Sequence, residues 1–228
     1  MYYDWTYILV LIGVIISLAA SANVKNTFRK YNRVYNRYGI TGAQAAAEIL
    51  RGAGIYDVPV QRISGSLTDN YSPGEKVLHL SDAVYGSTSV AAIGVAAHEC
   101  GHAIQDQVGY LPLTIRRAAV PICNFGSKLS WPLIIIGLLL GFTPLAELGI
   151  ILFLFVVAFQ LITLPVEFDA SARAMRVLAD DGMLDETELS GARKVLTAAA
   201  LTYVAALLTS ILQVLRLMLI VSGRRSRR

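Results

Sequence analysis

Between Trp131 and Pro165 the chain runs 35 residues with one charged side chain, Glu147. Such a stretch is too long for an ordinary buried core helix. It exceeds one bilayer span of about 20 residues and falls slightly short of two. Thr143-Pro144, followed by Glu147, breaks it near the middle, so the sequence predicts a tight membrane hairpin of two helices. A second apolar block, Tyr7 to Ala22, lies between Tyr2, Tyr3 and Trp5 on one side and a basic run on the other. It reads as a membrane helix with an aromatic interface anchor. Ala20-Ser21-Ala22 resembles a signal-peptide cleavage site, but the basic charges follow the apolar run instead of preceding it, which favours a retained helix. A last block, Thr197 to Val221, contains Gln213 and Arg216 and ends in the basic tail GRRSRR; it either spans or lies along the interface with Arg216 snorkelling.

These blocks divide the 228 residues into five expected segments. They are an N-terminal membrane helix (1–24), a water-facing catalytic region (25–130), the hairpin (131–165), a further helix (166–196) and a C-terminal membrane or interfacial helix with its tail (197–228). The expected fold class is a mainly α membrane protein with a small α+β domain and about four apolar membrane segments. With 55% hydrophobic and 16% charged residues and a mean hydropathy of +0.55, the whole chain agrees with that class. The net charge of +4 does not point to nucleic acid, because Lys25, Arg29, Lys30, Arg33 and Arg37 all sit beside an apolar block, where membrane orientation explains them. Two cysteines, Cys100 and Cys123, make neither a disulfide framework nor a CxxC metal site.

In the water-facing region, Thr41-Gly-Ala-Gln44 has the spacing of a capping box, opening a helix that ends near Gly52. Val58 to Ile63 and Lys76 to Ser81 read as extended runs, with Asn-Tyr-Ser-Pro-Gly between them as a turn. A long helix is expected from about Ser89 through VAAIGVAAHECGHAIQDQ. The acidic stretch Asp180 to Glu188 lacks the spacing of a calcium loop and reads as a solvated turn and helix start.

That long helix carries His98-Glu99-Cys100-Gly101-His102, an HExxH motif. Residues four apart project from one helical face, so both imidazoles can meet one Zn²⁺. Glu99 then stands beside the metal as a general base for a water whose pKa the ion lowers to roughly 7. With three histidines in the chain, accidental HExxH matches are expected on the order of one in a thousand such sequences. Cys100, inside the motif, reads as a small packing residue more readily than as a redox switch.

A catalytic zinc takes three protein ligands and keeps one position open. No third histidine follows at the extended spacing, since Gln105 and Val108 occupy those places. The one remaining histidine, His79, sits in the extended run KVLHLS, where it reads as an ordinary strand residue; a strand edge to which a substrate peptide adds is the alternative. A carboxylate is the better third ligand, and Glu167 in LPVEFDAS, after the hairpin, is the candidate. The competing reading of Glu167 is an acid stabilised at a helix N-terminus begun by Pro165. Asp169 lies two residues on and points away, as a partner behind the ligands; Ser171 and Arg173 are candidates for orienting roles. Glu167 and His98 can share a metal only if the chain between them crosses the membrane an even number of times, as a hairpin does.

HECGH on a small-residue helix, the apolar hairpin and LPVEFDAS together resemble the YugP-type neutral zinc metallopeptidases of bacterial membranes, over nearly the whole chain. More distantly the layout is similar to HtpX-like and CAAX-processing membrane proteases, although Ser171 stands where that wider group usually has an acid. The resemblance implies a gluzincin-type endopeptidase acting on membrane-associated or unfolded proteins, with peptide substrate and lipid as partners and no nucleic acid. The basic residues after the first block place the N-terminus outside and the active site toward the cytoplasm, with Arg173, Arg176, Arg193 and Lys194 in agreement and the tail GRRSRR in disagreement if Thr197 to Val221 spans once. Two rivals stand beside this reading. One is a silent scaffold stabilised by zinc, which would have no need of Glu99; the other is an ion transporter, which would place its histidines inside the apolar spans.

Overall fold

A computed structural model describes residues 5–225; Tyr2, Tyr3, Asp4 and the end of the basic tail from Ser226 lie outside the described residues. In chain order the elements are α1 (Tyr7–Tyr31), α2 (Gly42–Gly52), β1 (Val60–Ile63), β2 (Asn70–Ser72), β3 (Val77–Ser81), α3 (Asp82–Tyr85), α4 (Val90–Gln107), α5 (Leu111–Leu139), α6 (Thr143–Asp180) and α7 (Glu186–Arg225). The protein is therefore mainly helical with one small sheet. Among the described residues, four helices are long and apolar enough to cross a membrane: α1, α5, α6 and α7. The chain divides into two compact units, one of residues 1–21, 115–164 and 202–228, the other of residues 22–114 and 165–201.

The first unit is the apolar one. Its core holds Ile134, Ala146, Ile150, Val157, Leu207, Val214, Leu217 and Val221. The α5–α6 hairpin turns at Leu140-Gly141-Phe142, where Gly141 takes a φ of +66°. Its helices approach closely because glycines face the contact: a Cβ on Gly137 would sit 2.5 Å from the backbone nitrogen of Ala146. Ser130 closes the same contact by donating its hydroxyl to the Gly149 carbonyl at 2.9 Å. Where no apolar solvent force drives helices together, such close backbone approach and interhelical hydrogen bonding are what hold them. The guanidinium of Arg216 lies over the Tyr7 ring, 4.4 Å from its centre.

Helical structure extends past both ends of the apolar stretch seen in the sequence. Helix α5 begins at Leu111 and keeps Pro121 and Pro132 inside it. Helix α6 runs unbroken through Pro165, so that proline does not begin a new helix. A proline inside a helix forfeits one backbone hydrogen bond, a loss that long membrane helices tolerate because side chains and neighbouring helices re-satisfy the freed group.

The second unit contains the sheet and α2–α4, closed by the polar ends of α1, α6 and α7. Thr41 and Gln44 form the expected capping box at the head of α2. The sheet order is β1-β3-β2, with β1 parallel and β2 antiparallel to β3. The two extended runs are thus strands. The polar stretch between them is not all turn: Asn70, Tyr71 and Ser72 pair with His79, Leu78 and Val77, tertiary pairing overriding weak local propensity. His79 therefore lies on the central strand, paired on both sides and facing Asn70 Oδ1 at 3.2 Å, and it has no free edge to offer a peptide. In the acidic stretch, Asp185 and Glu188 cap each other's backbone N–H at 2.9 Å and start α7. Helix α4 is the buried centre of the unit, with Val90, Ala91, Ala92, Ile93, Ala96, Ala97 and Cys100 all inaccessible or nearly so.

Candidate metal centre

The site is made where α4 crosses α6, and the sequence of α4 determines how close that crossing is. Ser89 caps the helix by accepting from the Ala92 N–H at 3.1 Å. Gly101, between the two histidines, faces the α6 backbone. A Cβ there would meet the Ala170 carbonyl oxygen at 2.5 Å, so only glycine permits this approach. The close crossing sets His98 and His102, one turn apart on α4, against Glu167 on α6.

The Nε2 atoms of His98 and His102 lie 3.3 Å and 3.7 Å from Glu167 Oε2, and donor atoms of the three residues all fall within 4.8 Å of one another. Tetrahedral zinc with bonds of 2.0–2.1 Å separates its donors by about 3.4 Å. The two histidine–glutamate separations are close to that spacing, and the donor set of two imidazoles and one carboxylate suits the same metal. Glu167 and His102 are buried and His98 is half-buried, so a cation there is shielded from water by the protein on most sides.

Glu99 is buried beside this group, and its Oε2 accepts the backbone N–H of Tyr71 at 3.0 Å. That bond comes from β2, the short edge strand. Burial holds the Glu99 carboxyl above the ordinary carboxylate range, the neighbouring His98 and His102 working against the shift. Burial also raises Asp69, in the segment leading into β2; its carboxylate accepts from both the backbone N–H and the hydroxyl of Ser81 and so ties that segment to β3.

The histidines are held from behind. Gln105, fully buried, donates its amide nitrogen to the Val166 carbonyl and to Asp169 Oδ2, both at 2.8 Å. Neither group can donate in return, so the amide oxygen is the atom that faces His102 Nδ1, 3.0 Å away. His102 therefore donates from Nδ1 to that oxygen, and Nε2 is the atom turned toward Glu167. Asp169 is fixed in turn by Arg173 Nε at 2.6 Å, whose guanidinium lies 5.7 Å from the centre of the Tyr110 ring. His98 Nδ1 meets Ser171 Oγ at 3.1 Å.

The structure thus groups His98, His102 and Glu167, sets Glu99 next to them, and puts Asp169, Ser171 and Arg173 behind the imidazoles. His79 is not part of the group. Sequence reasoning missed Gln105, treated only as the residue that breaks the extended histidine pattern, and the Tyr71 backbone. The signal for Gln105 was its place three residues after His102 on the same buried face. Tyr71 gave none, since a backbone N–H carries no sequence mark.

A family model described as "Putative neutral zinc metallopeptidase" matches residues 6–222. The chain is 48% identical over 210 residues to "Putative membrane protease YugP" of Bacillus subtilis (strain 168), covering 92% of this chain and 93% of that protein. No solved structure matches.

Proposed function

Because the chain belongs to the neutral zinc metallopeptidase family, we propose that it is a zinc-dependent membrane endopeptidase whose ion is held by His98, His102 and Glu167, with Glu99 as general base. The observation that carries this reading is the donor triad, gathered within 4.8 Å, with a buried carboxylate beside it. A bound zinc supplies Lewis-acid polarisation of the scissile carbonyl and brings a water into the range where a carboxylate can deprotonate it.

The chain's own residues do the rest. Glu99, anchored through Oε2 by Tyr71 N–H, takes the proton of the attacking water on Oε1 and delivers it to the leaving amine. Gln105 and Ser171 fix the two imidazoles with Nε2 toward the ion, so the ligands do not have to reorganise as substrate binds. Substrates are membrane-associated or unfolded proteins.

Crossings by α1, α5 and α6 put residues 32–110 and 181–185 on the same side of the membrane. The basic residues flanking α1, together with Arg173, Arg176, Arg193 and Lys194, favour the cytoplasm for the catalytic unit. Cysteine accessibility to an impermeant reagent, in intact cells, at a residue introduced for Tyr56 would test this: protection supports the cytoplasmic side, labelling opposes it.

The reading is tested by zinc content and proteolysis of an unfolded substrate in detergent, comparing the native chain with Glu99→Gln and Glu167→Ala. One zinc per chain, retained by Glu99→Gln with cleavage abolished, and weakened in Glu167→Ala, is the expected result. Zinc in the native chain without cleavage of any substrate would favour a scaffold.

A further inference from the structure

Away from the metal centre, in the same compact unit, a cleft of about 400 Å³ opens between the last turns of α1 and the early turns of α7. We propose that this cleft binds the phosphate headgroup of an anionic phospholipid, with Lys30, Arg193 and Lys194 as its charge partners. Tyr31 packs against Gly191, where a Cβ would meet the ring at 2.8 Å, and so closes one end of the groove between the two helices.

Three features support the assignment. The first is charge. Lys30, Arg193 and Lys194 all line the cleft, and among the described residues no carboxylate lies within ion-pair distance of any of them. The ammonium of Lys30 instead lies 5.5 Å from the centre of the Tyr31 ring, beside the groove. In the same unit Arg62 pairs with Asp82, Lys76 with Asp57 and Arg173 with Asp169, each at 2.6 Å. Three unneutralised cations around one concavity are what an anion with several acceptor oxygens requires.

The second feature is neutral hydrogen-bonding capacity, since Asn23, Thr27 and Thr197 line the same cleft. The third is polarity along its length, and this selects a lipid over a soluble phosphate. On α1 the lining runs from Lys30 through Thr27 to Asn23, ending where the apolar block Tyr7 to Ala22 begins. On α7 it runs from Arg193 and Lys194 through Thr197 to Ala198 and Leu201, entering the apolar block that starts at Thr197. One end is cationic and the other leads into two membrane helices, the same order as phosphate and acyl chain in a phospholipid. Polybasic groups beside membrane helices are the usual recognition element for anionic lipids, each cation contributing about fivefold in affinity.

The test uses the full chain purified in a neutral detergent and needs no enzymatic readout, so its outcome is separable from that of the proposed protease function. Phosphatidylglycerol, phosphatidylcholine and inorganic phosphate are titrated separately, with bound lipid counted by native mass spectrometry and stability followed by thermal unfolding. The proposal expects one phosphatidylglycerol to bind and raise the unfolding temperature, phosphatidylcholine to bind much more weakly, and inorganic phosphate to have little effect. Substituting Lys30→Gln, Arg193→Gln and Lys194→Gln together should weaken phosphatidylglycerol on the order of 100-fold, with Arg51→Gln on α2 as the unaffected control. Lys194→Gln alone, expected to cost about fivefold, keeps the test open if the triple variant is unstable. Equal binding of the two lipids, or undiminished binding by the single and triple variants, overturns the site. Stabilisation by inorganic phosphate equal to that by phosphatidylglycerol makes it a soluble-anion site and overturns the lipid assignment.

Discussion

The two helices that carry the candidate ligands follow different rules. Helix α4 is short, capped by a side chain at its start and buried along most of its 18 residues; its two histidines are placed by its own geometry. Helix α6 runs 38 residues, mostly apolar, and nothing local to Glu167 says which way that carboxylate should face. Its placement depends on contacts made from α4: the missing side chain of Gly101 lets the helices meet, and Gln105 grips the Val166 carbonyl and the Asp169 carboxylate on either side of Glu167. The comparison teaches that one helix brings its half of the site with it, while the other has its half assembled by the first.

The strongest way to break that relation is at the crossing. Gly101→Ala places a methyl 2.5 Å from the Ala170 carbonyl oxygen, a backbone atom that cannot move aside without displacing α6. Overpacking of this kind costs about 1–3 kcal/mol, and the strain falls between the two halves of the donor triad. Zinc affinity should collapse while α4 itself stays helical. Circular dichroism alongside metal content checks it, and a Gly101→Ala protein that binds zinc at native affinity would mean the helices do not need this close approach.

A milder intervention keeps the crossing and removes the grip. Gln105→Leu deletes the acceptor for His102 Nδ1 and the amide donor to the Val166 carbonyl and Asp169 Oδ2, leaving Asp169 its Arg173 partner. Loss of a partner that orients a metal-bound histidine typically weakens metal affinity 10–100-fold. Ser171→Ala, which removes the hydroxyl contacting His98, should cost less, because His98 is the more exposed ring and water can replace the lost partner. Competition with a chelating dye measures both, and equal affinities for Gln105→Leu and the native chain would show that the buried amide is packing alone.

The same asymmetry explains what the sequence made legible. Features set within one turn of helix could be read: the Thr41–Gln44 capping box, the start of α4 at Ser89, the one-turn spacing of His98 and His102, and the break that makes a hairpin of α5 and α6. Features set by distant partners could not. Strand β2 exists because β3 pairs with it, although Asn70 and Ser72 are poor strand formers. Pro165 stays inside α6 although its local preference is to begin a helix. Gln105 acts on a residue 64 positions away, and Tyr71 meets Glu99 across 28. Glu167 came into view only through the chemical requirement for a third ligand, not through any pattern around it.

If α4 carries its own placement, weakening its start should cost stability without touching zinc. Ser89 is fully buried, accepts from Ala92 N–H and from the Ser87 hydroxyl, and donates to Asn32 Oδ1 at 2.8 Å. Ser89→Ala should therefore destabilise the protein by about 1–2 kcal/mol, in the upper range for loss of an N-cap. The folded fraction should bind zinc as the native chain does. A variant equally stable but impaired in zinc binding would reverse the assignment, making the helix start a determinant of the site instead of the fold.

The smallest effect is expected at Cys100, and its smallness is informative. The thiol sits between the two histidines in sequence but faces the core, with no exposed surface and its Sγ 3.6 Å from the Ala46 carbonyl. Burial pushes its pKa well up, with the Glu99 carboxylate adding to the shift. The thiolate, the form that reacts with alkylating agents and oxidants, is therefore scarce in the folded protein at neutral pH. N-Ethylmaleimide should label Cys100 only after denaturation, and mild peroxide should leave zinc content unchanged. Rapid labelling of Cys100 with zinc still bound would mean that α4 opens toward solvent on the reaction timescale, and its self-sufficiency relative to α6 would then fail where its packing is densest.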